Sequence, residues 1–549
     1  MRADTIAGLF DRIEHLNSIG ISLSAERDNQ RLMELILSAA MSITNADGGT
    51  LYLLDDTTQC LRFEIMRNRS LGIEWGGTTG WPVTLAPIAL YDQQGQPNTK
   101  TIAAYCAVTG ETVNIADAYS AAGFDFSGTQ RYDKETGYRS RSFLTMPLRD
   151  HQHEIIGVLQ LLNSQDPVTN ETVAFSPSDQ RLAQSVASQA AVALTNNRLT
   201  VELKHLLETF IEVLASTIDE KSPYTGGHCR RVPEVAMMLA HAINRTNEGP
   251  LANQKLSPAD LYELRIAALL HDCGKITTPI HVVDKATKLE AIFDRLHLVN
   301  ARIEILRKNA RIQLLEAQLA DARGEKKQDM RQTEQQYHAF IRNMNENEAF
   351  LRQCNTGGEF MKAEDQGRVQ QIGMYTVCYE NGDEHPLLNE NEIYNLRIAK
   401  GTLTPEERTI INNHMVSTLN MLEALPFPKN LKNVPNIAGS HHERMDGKGY
   451  PRGLKGEQMC VRARLMCIAD VFEALTAADR PYKKAMPISQ ALTIMDKMSN
   501  EGHLDPQLFD IFVRENVYQE YGVQFLHPDQ MTPIDMSTLV GHMRRRHGD

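Results

Sequence analysis

Apolar residues along this chain follow two alternating patterns, and each predicts a different kind of element. Helical spacing of three and four covers residues 1–20 and then Leu32 to Ile43. Strand-like alternation follows at residues 50–54 and 61–65, and again over 143–163, each time around a polar turn. A helix is predicted from Ser178 to Asn197. Helix, hairpin, long irregular segment (about 70–140), hairpin and helix are typical of an α+β domain.

The helical spacing then continues without a break from Asn196 to Glu220, which predicts one helix that leaves this domain and enters the next. Beyond Ser222 and Pro223 the pattern is helical almost throughout. One helix is predicted to open at His228, another to span Pro258–Leu270, and a third to start at Thr404 and Pro405 with Thr404 as its N-cap and to carry His414. Residues 434–515 are predicted to be helical except for a loop around Gly449-Tyr450-Pro451.

Residues 286–400 interrupt this all-α domain and are predicted to be an insertion. Two stretches of 3-4 spacing, separated by a charged break at 322–327, predict an antiparallel helical hairpin. Residues 355–389 are rich in Gly, Asn and Asp, and we expect loops with short strands there. The hairpin is equally well explained as a solvated spacer or as an arm that binds a partner.

Composition limits the function classes. A chain of 549 residues is too long for one core, and a net charge of −12 argues against nucleic acid or an anionic membrane as a partner. No apolar run is long enough to span a bilayer, and the first residues lack the apolar segment of a signal peptide. Eight scattered cysteines without CxxC spacing favour a reducing cytoplasm.

Two short motifs carry candidate chemistry. His441 and His442 precede Asp446-Gly447-Lys448-Gly449-Tyr450-Pro451; adjacent histidines on a helix would point about 100° apart, toward neighbouring metal ions. The alternative is a surface or packing pair. The other motif, His271-Asp272-Cys273-Gly274-Lys275, follows an apolar run and places an imidazole beside a carboxylate, a mixture that Mn, Fe or Zn accepts. Lys275 would share the helical face of His271, and the alternative is a capped core helix with an isolated histidine.

Together these motifs resemble the HD-GYP phosphodiesterases, whose signature is HD followed by HHExxDGxGYPxGLxG. The resemblance covers roughly residues 205–285 and 401–515, and it extends to His228, His414, Asp470 and Arg480-Pro481-Tyr482-Lys483. It implies an all-α domain with two divalent ions, iron or manganese, held by seven side chains: His228, His271, Asp272, His414, His441, His442 and Asp470.

The same resemblance implies further roles. Asp272 would bridge the two ions, and Lys275 would neutralise charge on the reacting phosphate. Arg480 and Lys483 would hold the far phosphate, next to the loop of Gly449, Tyr450 and Pro451. Tyr224 stands where some family members have a Glu that helps to hold a third ion, so we expect two ions. Glu473 replaces a commoner Asp and is not expected to be a ligand.

The N-terminal region resembles a GAF domain. The resemblance rests on residues 46–53, on Met146-Pro147-Leu148 and on Gly157-Val158-Leu159-Gln160-Leu161-Leu162-Asn163. It implies an α+β sensor that binds a small ligand, as yet unidentified, or that dimerises. By analogy with other sensor–effector chains, we expect a homodimer through the connecting helix.

The sequence thus predicts a GAF-like α+β sensor followed by an all-α HD-GYP domain with a helical-hairpin insertion. The predicted boundaries are 1–197 for the sensor, 198–222 for the connecting helix, 223–285 and 401–520 for the two HD-GYP parts, 286–400 for the insertion and 521–549 for a tail. The expected activity is hydrolysis of cyclic di-GMP to pGpG and possibly GMP. The alternatives are another 3′,3′-cyclic dinucleotide, such as cyclic GMP-AMP, as the substrate, and a receptor without catalysis.

Overall fold

The computed structural model describes residues 2–221, 227–325, 329–357, 360–478, 485–534 and 539, with side chains from residue 14 onward. The chain divides into two compact units, residues 1–206 and 207–549. Among the described residues, no helix has both the length and the apolar character needed to cross a membrane.

The first unit is an antiparallel sheet with helices. Its strands are β1 (Ala46–Asp55), β2 (Cys60–Asn68), β3 (Ile73–Gly76), β4 (Ile88–Ala89), β5 (Val113–Ile115), β6 (Phe143–Arg149), β7 (Ile155–Gln165) and β8 (Thr172–Val173). The order is β3-β2-β1-β7-β6-β5, with β4 paired to β2 and β8 to β7. Its helices are α1 (Arg2–Ala25), α2 (Asn29–Ile43), α3 (Ile102–Thr109), α4 (Ser127–Thr136) and the first part of α5 (Pro177–Lys221).

Alternation along the central strands gives this sheet two apolar faces. Leu51 and Leu159 pack in one cluster with the buried residues of α2 and α5, whereas Tyr52 and Val158 pack in another with α3. The two predicted hairpins are confirmed, since β1 pairs with β2 and β6 with β7. The stretch predicted to be irregular contains two helices and three short strands.

The second unit is mostly helical. After α5 come α6 (His228–Arg245), α7 (Pro258–Leu270), α8 (Ile280–Val283), α9 (Leu296–Ala322), α10 (Met330–Asn355), α11 (Ala363–Gly373), β9 (Thr376–Cys378), β10 (Glu384–Pro386), α12 (Glu390–Leu396), α13 (Pro405–Asn412), α14 (His414–Glu423), α15 (Val434–Ala438), α16 (Val461–Thr476), α17 (Ile488–Asn500), α18 (Pro506–Arg514) and α19 (Val517–Phe525). Short 3-10 helices lie at Gly77–Thr79 in the first unit and at Cys273–Thr277, Lys429–Leu431, Gly456–Gln458 and Pro528–Gln530 in the second.

Residues 289–396 have a core of their own, distinct from the one that α6, α7 and α16–α19 share. Within it α9 and α10 run antiparallel. This direction is shown by two hydrogen bonds between them: Arg307 Nη2 donates to Glu348 at 2.7 Å, and Gln318, further along α9, donates to Glu334, nearer the start of α10. Two buried lysines connect the two ends of this segment. Lys285 binds Glu407 at 2.7 Å, and Lys288 donates to the carbonyl of Ile398 at 2.8 Å. That this segment is an insertion into the domain stays a prediction.

Several predicted elements differ from the structure. The helix from Thr404 and Pro405 ends at Asn412, and His414 begins the next helix. The predicted loops at 355–389 include α11, which buries Val369 and Ile372. The predicted tail packs on the HD-side core as far as the structure describes it, since Met531 and Ile534 contact that core and Leu539 is buried in it.

Candidate metal centre

Side chains from five segments converge in the second unit: the start of α6, the end of α7, the start of α14, the turn after α15 and the middle of α16. Their ligand atoms form two groups, and within each group these atoms lie within 4.8 Å of one another. The first group is His228, His271 and Asp272; the second is His414, His441 and His442. All six residues were expected from sequence, and each group has the number of protein ligands that an open metal site needs.

Asp272 belongs to the first group and also faces the second. Its Oδ2 is 3.3 Å from Nε2 of His228 and 3.3 Å from Nε2 of His271. Its Oδ1 is 3.3 Å from Nε2 of His414 and 3.7 Å from Nε2 of His441. Asp470 adds a carboxylate to the first group, with Oδ1 3.3 Å from Nε2 of His228. One carboxylate therefore faces both groups through its two oxygens.

The backbone fixes the tautomer of three of these histidines. Nδ1 of His271, His414 and His441 lies 2.7, 2.5 and 2.7 Å from the carbonyl oxygen of the residue three positions earlier. Because a carbonyl only accepts, each Nδ1 carries the hydrogen and each Nε2 presents a lone pair toward Asp272. The only sequence signal for these Nδ1–carbonyl bonds is the position of each histidine at a helix end: His271 and His441 follow a helix, and His414 begins one.

Acceptors therefore face acceptors in this cluster. Among the described residues, Asp272 Oδ1, His414 Nε2 and His441 Nε2 are buried and have no hydrogen-bond partner. Buried acceptors without a donor are costly, and an imidazole lone pair aimed at a carboxylate gains no bond. A divalent cation would satisfy all of them, and imidazole with carboxylate is a donor set that such cations accept. These residues fit a metal centre.

Glu473 holds His228 from behind. One carboxylate oxygen of Glu473 bonds Nδ1 of His228 at short distance, and the other accepts from Nε of Arg231 at 2.6 Å. The Glu473 side chain is only 1% exposed. A carboxylate bonded to the far nitrogen of a ligand histidine orients the ring and raises its basicity. This role of Glu473 was not predicted from the sequence, although its i, i+3 spacing from Asp470 on α16 is a signal for it.

Burial and charge set the protonation of the cluster. Burial disfavours the ionised Asp272, but the Lys275 ammonium beside it outweighs burial and holds the pKa of this carboxyl well below its usual value. Burial lowers the pKa of His442 to about 4, and it lowers that of His441 well below 6.5. Burial also opposes charge on His228, yet its bonds to Asp272, Asp470 and Glu473 raise its pKa well above 6.5. A metal ion would have to displace that proton from His228.

Lys275 reaches Asp272 by a route that differs from the prediction. The helix α7 ends at Leu270, and Lys275 lies in the 3-10 helix that follows, so it does not share a helical face with His271. Its Nζ is 2.5 Å from Asp272 Oδ2, and its side chain remains 21% exposed. Gly274 makes this segment fit against α14, since a Cβ there would lie 2.0 Å from the carbonyl oxygen of His414.

The loop after the histidine pair folds back onto it. His441 and His442 lie in a turn after α15, not on a helix as the sequence suggested. Glu443 is fully buried, and its carboxylate accepts the backbone N–H groups of Arg452 at 2.7 Å and Leu454 at 2.8 Å. This anchorage explains why an acid directly follows the two histidines.

Tyr450 covers His442, one of the predicted metal ligands. Its ring stacks on that of His442, with centroids 4.9 Å apart and planes 22° apart. Gly449 must be glycine here, because a Cβ would come within 2.4 Å of the Cα of Glu443. Pro451 continues this loop, whereas the predicted phosphate-binding residues Arg480 and Lys483 lie outside the described residues.

Comparison with known proteins agrees with both halves of this description. The family model "GAF domain" matches residues 28–194, and two models described as "HD domain" match residues 225–336 and 390–508.

Curated relatives match the second half. A 3′3′-cGAMP-specific phosphodiesterase (number 1) of Vibrio cholerae is 40% identical over 27% of this chain and 33% of its own length. Another of that species (number 3) is 40% identical over 20% of this chain and 23% of its own length. A cyclic di-GMP phosphodiesterase of Pseudomonas aeruginosa is 39% identical over 27% of this chain and 33% of its own length. The chain thus spans a third or less of each of these relatives. It carries a match to the GAF domain in its N-terminal part and matches to the HD domain in its C-terminal part, where it is similar to these phosphodiesterases.

Proposed function

We propose that this chain hydrolyses a cyclic dinucleotide, cyclic di-GMP in the first place, at a centre of two divalent ions. The observation that carries the proposal is the position of Asp272, whose Oδ2 faces the two histidines of its own group while its Oδ1 faces the second group of three histidines. Two adjacent ions of this kind supply Lewis-acid activation of a phosphodiester and an activated water for in-line attack. Iron or manganese suits the mixture of imidazole and carboxylate.

The protein's own residues would hold and orient the reacting groups. Asp272 would bridge, and Asp470 would complete the group that contains His228 and His271. The Lys275 ammonium, beside Asp272 and still partly exposed, is placed to neutralise negative charge that develops on a phosphate oxygen. Tyr450 on the Gly449–Pro451 loop would line the substrate site over His442. Arg480 and Lys483 are proposed to bind the far phosphate.

The activity has a direct test. Protein loaded with Mn²⁺ or Fe²⁺ under exclusion of air should convert cyclic di-GMP to pGpG, and further to GMP if the linear product is bound as well. Asp470→Asn keeps the shape of a ligand side chain but removes its charge, and it should lose turnover. If the parent protein contains two ions by elemental analysis and turns over no cyclic dinucleotide with either metal, the proposal is wrong.

Cyclic GMP-AMP is the second candidate substrate. Two of the relatives, at 40% identity, are named as specific for the 3′3′ form of this nucleotide. Values of kcat/KM for the two nucleotides, measured side by side on one preparation, decide between them. A receptor without catalysis is the third reading, and it predicts saturable nucleotide binding with no product in protein that contains both ions.

We also propose that the chain forms a parallel homodimer through α5. The GAF domain would act on the HD domain through this helix, either in response to a small ligand or through dimerisation itself. Between Leu199 and Val213, five apolar side chains follow each other at intervals of four, three, four and three: Leu199, Leu203, Leu206, Phe210 and Val213. Each is between 46% and 68% exposed. This is the a/d spacing of a two-stranded coiled coil, and Asn196 continues it at an a position, where asparagine fixes register.

A charge in this stripe should separate the protomers. Leu203→Lys with Leu206→Lys is expected to shift the mass in sedimentation velocity from dimer to monomer. Val201 is a matched control, because it is 63% exposed on the same helix but lies outside the a/d spacing. Val201→Lys should leave the mass unchanged. A monomeric parent chain would refute the dimer.

The compartment is proposed to be the cytoplasm. All eight cysteines are free, and four of them are buried with thiol pKa values raised by burial: Cys106, Cys229, Cys273 and Cys467. Free thiols in this number suit a reducing environment.

A further inference from the structure

The last turn of α5 makes direct contacts with both of the segments that present the first ligand group. Asp219 is buried there, 7% exposed, and its carboxylate accepts the backbone N–H of Gly227 at 3.0 Å and of Cys229 at 3.3 Å. Those two residues flank His228 at the first turn of α6. An acceptor at this place satisfies helix N–H groups that have no partner inside the helix. Asp219 therefore fixes the backbone that carries His228.

Lys221, two residues further on, holds the other segment. Its Nζ donates to the carbonyl oxygens of Lys275 at 3.1 Å and Thr278 at 2.7 Å, and to that of Ile276 at short distance. These carbonyls belong to the 3-10 helix and its C-cap, directly after His271 and Asp272. An ammonium that ties three carbonyls of one short segment restricts the position of Lys275 and, through it, of Asp272.

We infer that Asp219 and Lys221 are positioning residues for one of the two ions, the one proposed to lie between His228 and His271. Together they join the end of the connecting helix to both halves of that ligand group. Ser216, one turn before Asp219, adds a further bond by accepting from Arg230 Nη2 at 2.8 Å. Displacement or rotation of the end of α5 would move His228 and Asp272 together. This inference rests on the metal centre of the proposed function and names where regulation would reach it.

The second ligand group is oriented mainly from within its own segments, although α14 also packs against Gly274 in the segment that Lys221 holds. His414 and His441 are oriented by carbonyls of their own segments, Ile411 and Ala438. A change at the end of α5 should therefore weaken one ion more than the other.

The test compares two lysines with the same chemistry. Lys221→Met removes the ammonium and keeps most of the side-chain volume. Lys255→Met is the matched control, because Lys255 Nζ also bonds backbone carbonyls, those of Asn244 at 2.9 Å and Thr246 at 2.7 Å, but at the far end of α6. Asp219→Asn is a second variant, which leaves one acceptor in place and loses the charge. Folding of each full-length variant is checked by circular dichroism and thermal melting.

Metal retention is the readout. After dialysis against a chelator that leaves two manganese ions in the parent protein, Lys221→Met and Asp219→Asn should retain one, and titration of the metal-free protein should show one site weakened about 10- to 100-fold. Lys255→Met should keep both ions with affinities within about twofold of the parent, although its melting temperature falls as well. Equal retention in all folded variants, or equal loss in Lys221→Met and Lys255→Met, would overturn the inference. Selective loss of an ion in variants of a parent that cleaves no cyclic dinucleotide would support positioning and refute the proposed activity.

Discussion

Replacement of Glu473 by Gln should weaken metal binding, although Glu473 is not itself a proposed metal ligand. Glu473 is buried and accepts from two donors, Nδ1 of His228 and Nε of Arg231. Glutamine has the same shape but only one accepting oxygen, so its NH₂ group must face one of these donors. One charge-assisted bond is lost, which costs about 1.5–3 kcal/mol.

The expected loss of affinity follows from that figure. If the lost bond is the one to His228, the imidazole loses its orientation and part of its basicity, and affinity for the ion beside it should fall about 10- to 100-fold. That range corresponds to about 1.4–2.7 kcal/mol, which agrees with the cost of the bond. The assay is competition for Mn²⁺ against a chromogenic chelator, with turnover measured at saturating metal.

The control for this experiment is Glu263→Gln. Glu263 is equally buried, at 3% exposure, and it accepts from Arg462 Nη1 at 2.6 Å and from the backbone N–H of Asn433 at 2.7 Å, without contact to any proposed ligand. Both variants should lose stability by a similar amount, whereas only Glu473→Gln should lose affinity for metal. Parent-like affinity in Glu473→Gln, or an equal loss in the control, would show that Glu473 does not orient His228.

Three further predictions concern the same centre. Asp272→Ala should lose metal together with activity, whereas Lys275→Ala should keep both ions and lose about 10²-fold or more in kcat, and elemental analysis with kinetics separates the two roles. Burial lowers the pKa of His442 to about 4, below its unfolded value of about 6.5, so the unfolded state binds more protons between these values and stability falls as the pH drops through this window. In metal-free protein, His442→Gln should reduce that acid-side loss by on the order of 3 kcal/mol, as seen in melts at several pH values. Gly274→Ala should cost about 1–3 kcal/mol or more because its Cβ would meet the backbone of α14, whereas Gly367→Ala, with open space around it on α11, should be neutral or stabilising in the same melts.

The elements predicted well from sequence are those with local signals. The helix α13 has Thr404 as N-cap and Pro405 at its first position, as predicted, and the structure adds a capping box with Glu407. The continuous apolar spacing across residues 178–220 became the single helix α5. The hairpins around β1 and β7 were predicted from short apolar, strand-like runs on either side of a polar turn, and these strands bury side chains on both faces of the sheet.

The elements predicted badly depend on contacts between distant residues. α11 is polar along most of its length, and the side chains that justify it, Val369 and Ile372, are buried against residues far away in sequence. His441 and His442 follow a short helix whose end is set by the anchorage of Glu443 to Arg452 and Leu454. The sequence motifs predicted which residues are ligands. Their division into two groups around Asp272 results from the packing of several distant segments.

The two ligand groups differ in how the rest of the protein supports them. His228 is held by Glu473 through its side chain and by Asp219 through its backbone, and Asp272 is held by Lys275, whose segment is tied to Lys221. These supports come from α5 and α16, so the geometry of the first group depends on the positions of both helices. The second group is supported by carbonyls within its own segments and by the stacked ring of Tyr450. Because orientation of ligands governs affinity, the ion proposed for the first group should respond more strongly to whatever moves α5 than the ion proposed for the second, which shares only Asp272 with these supports.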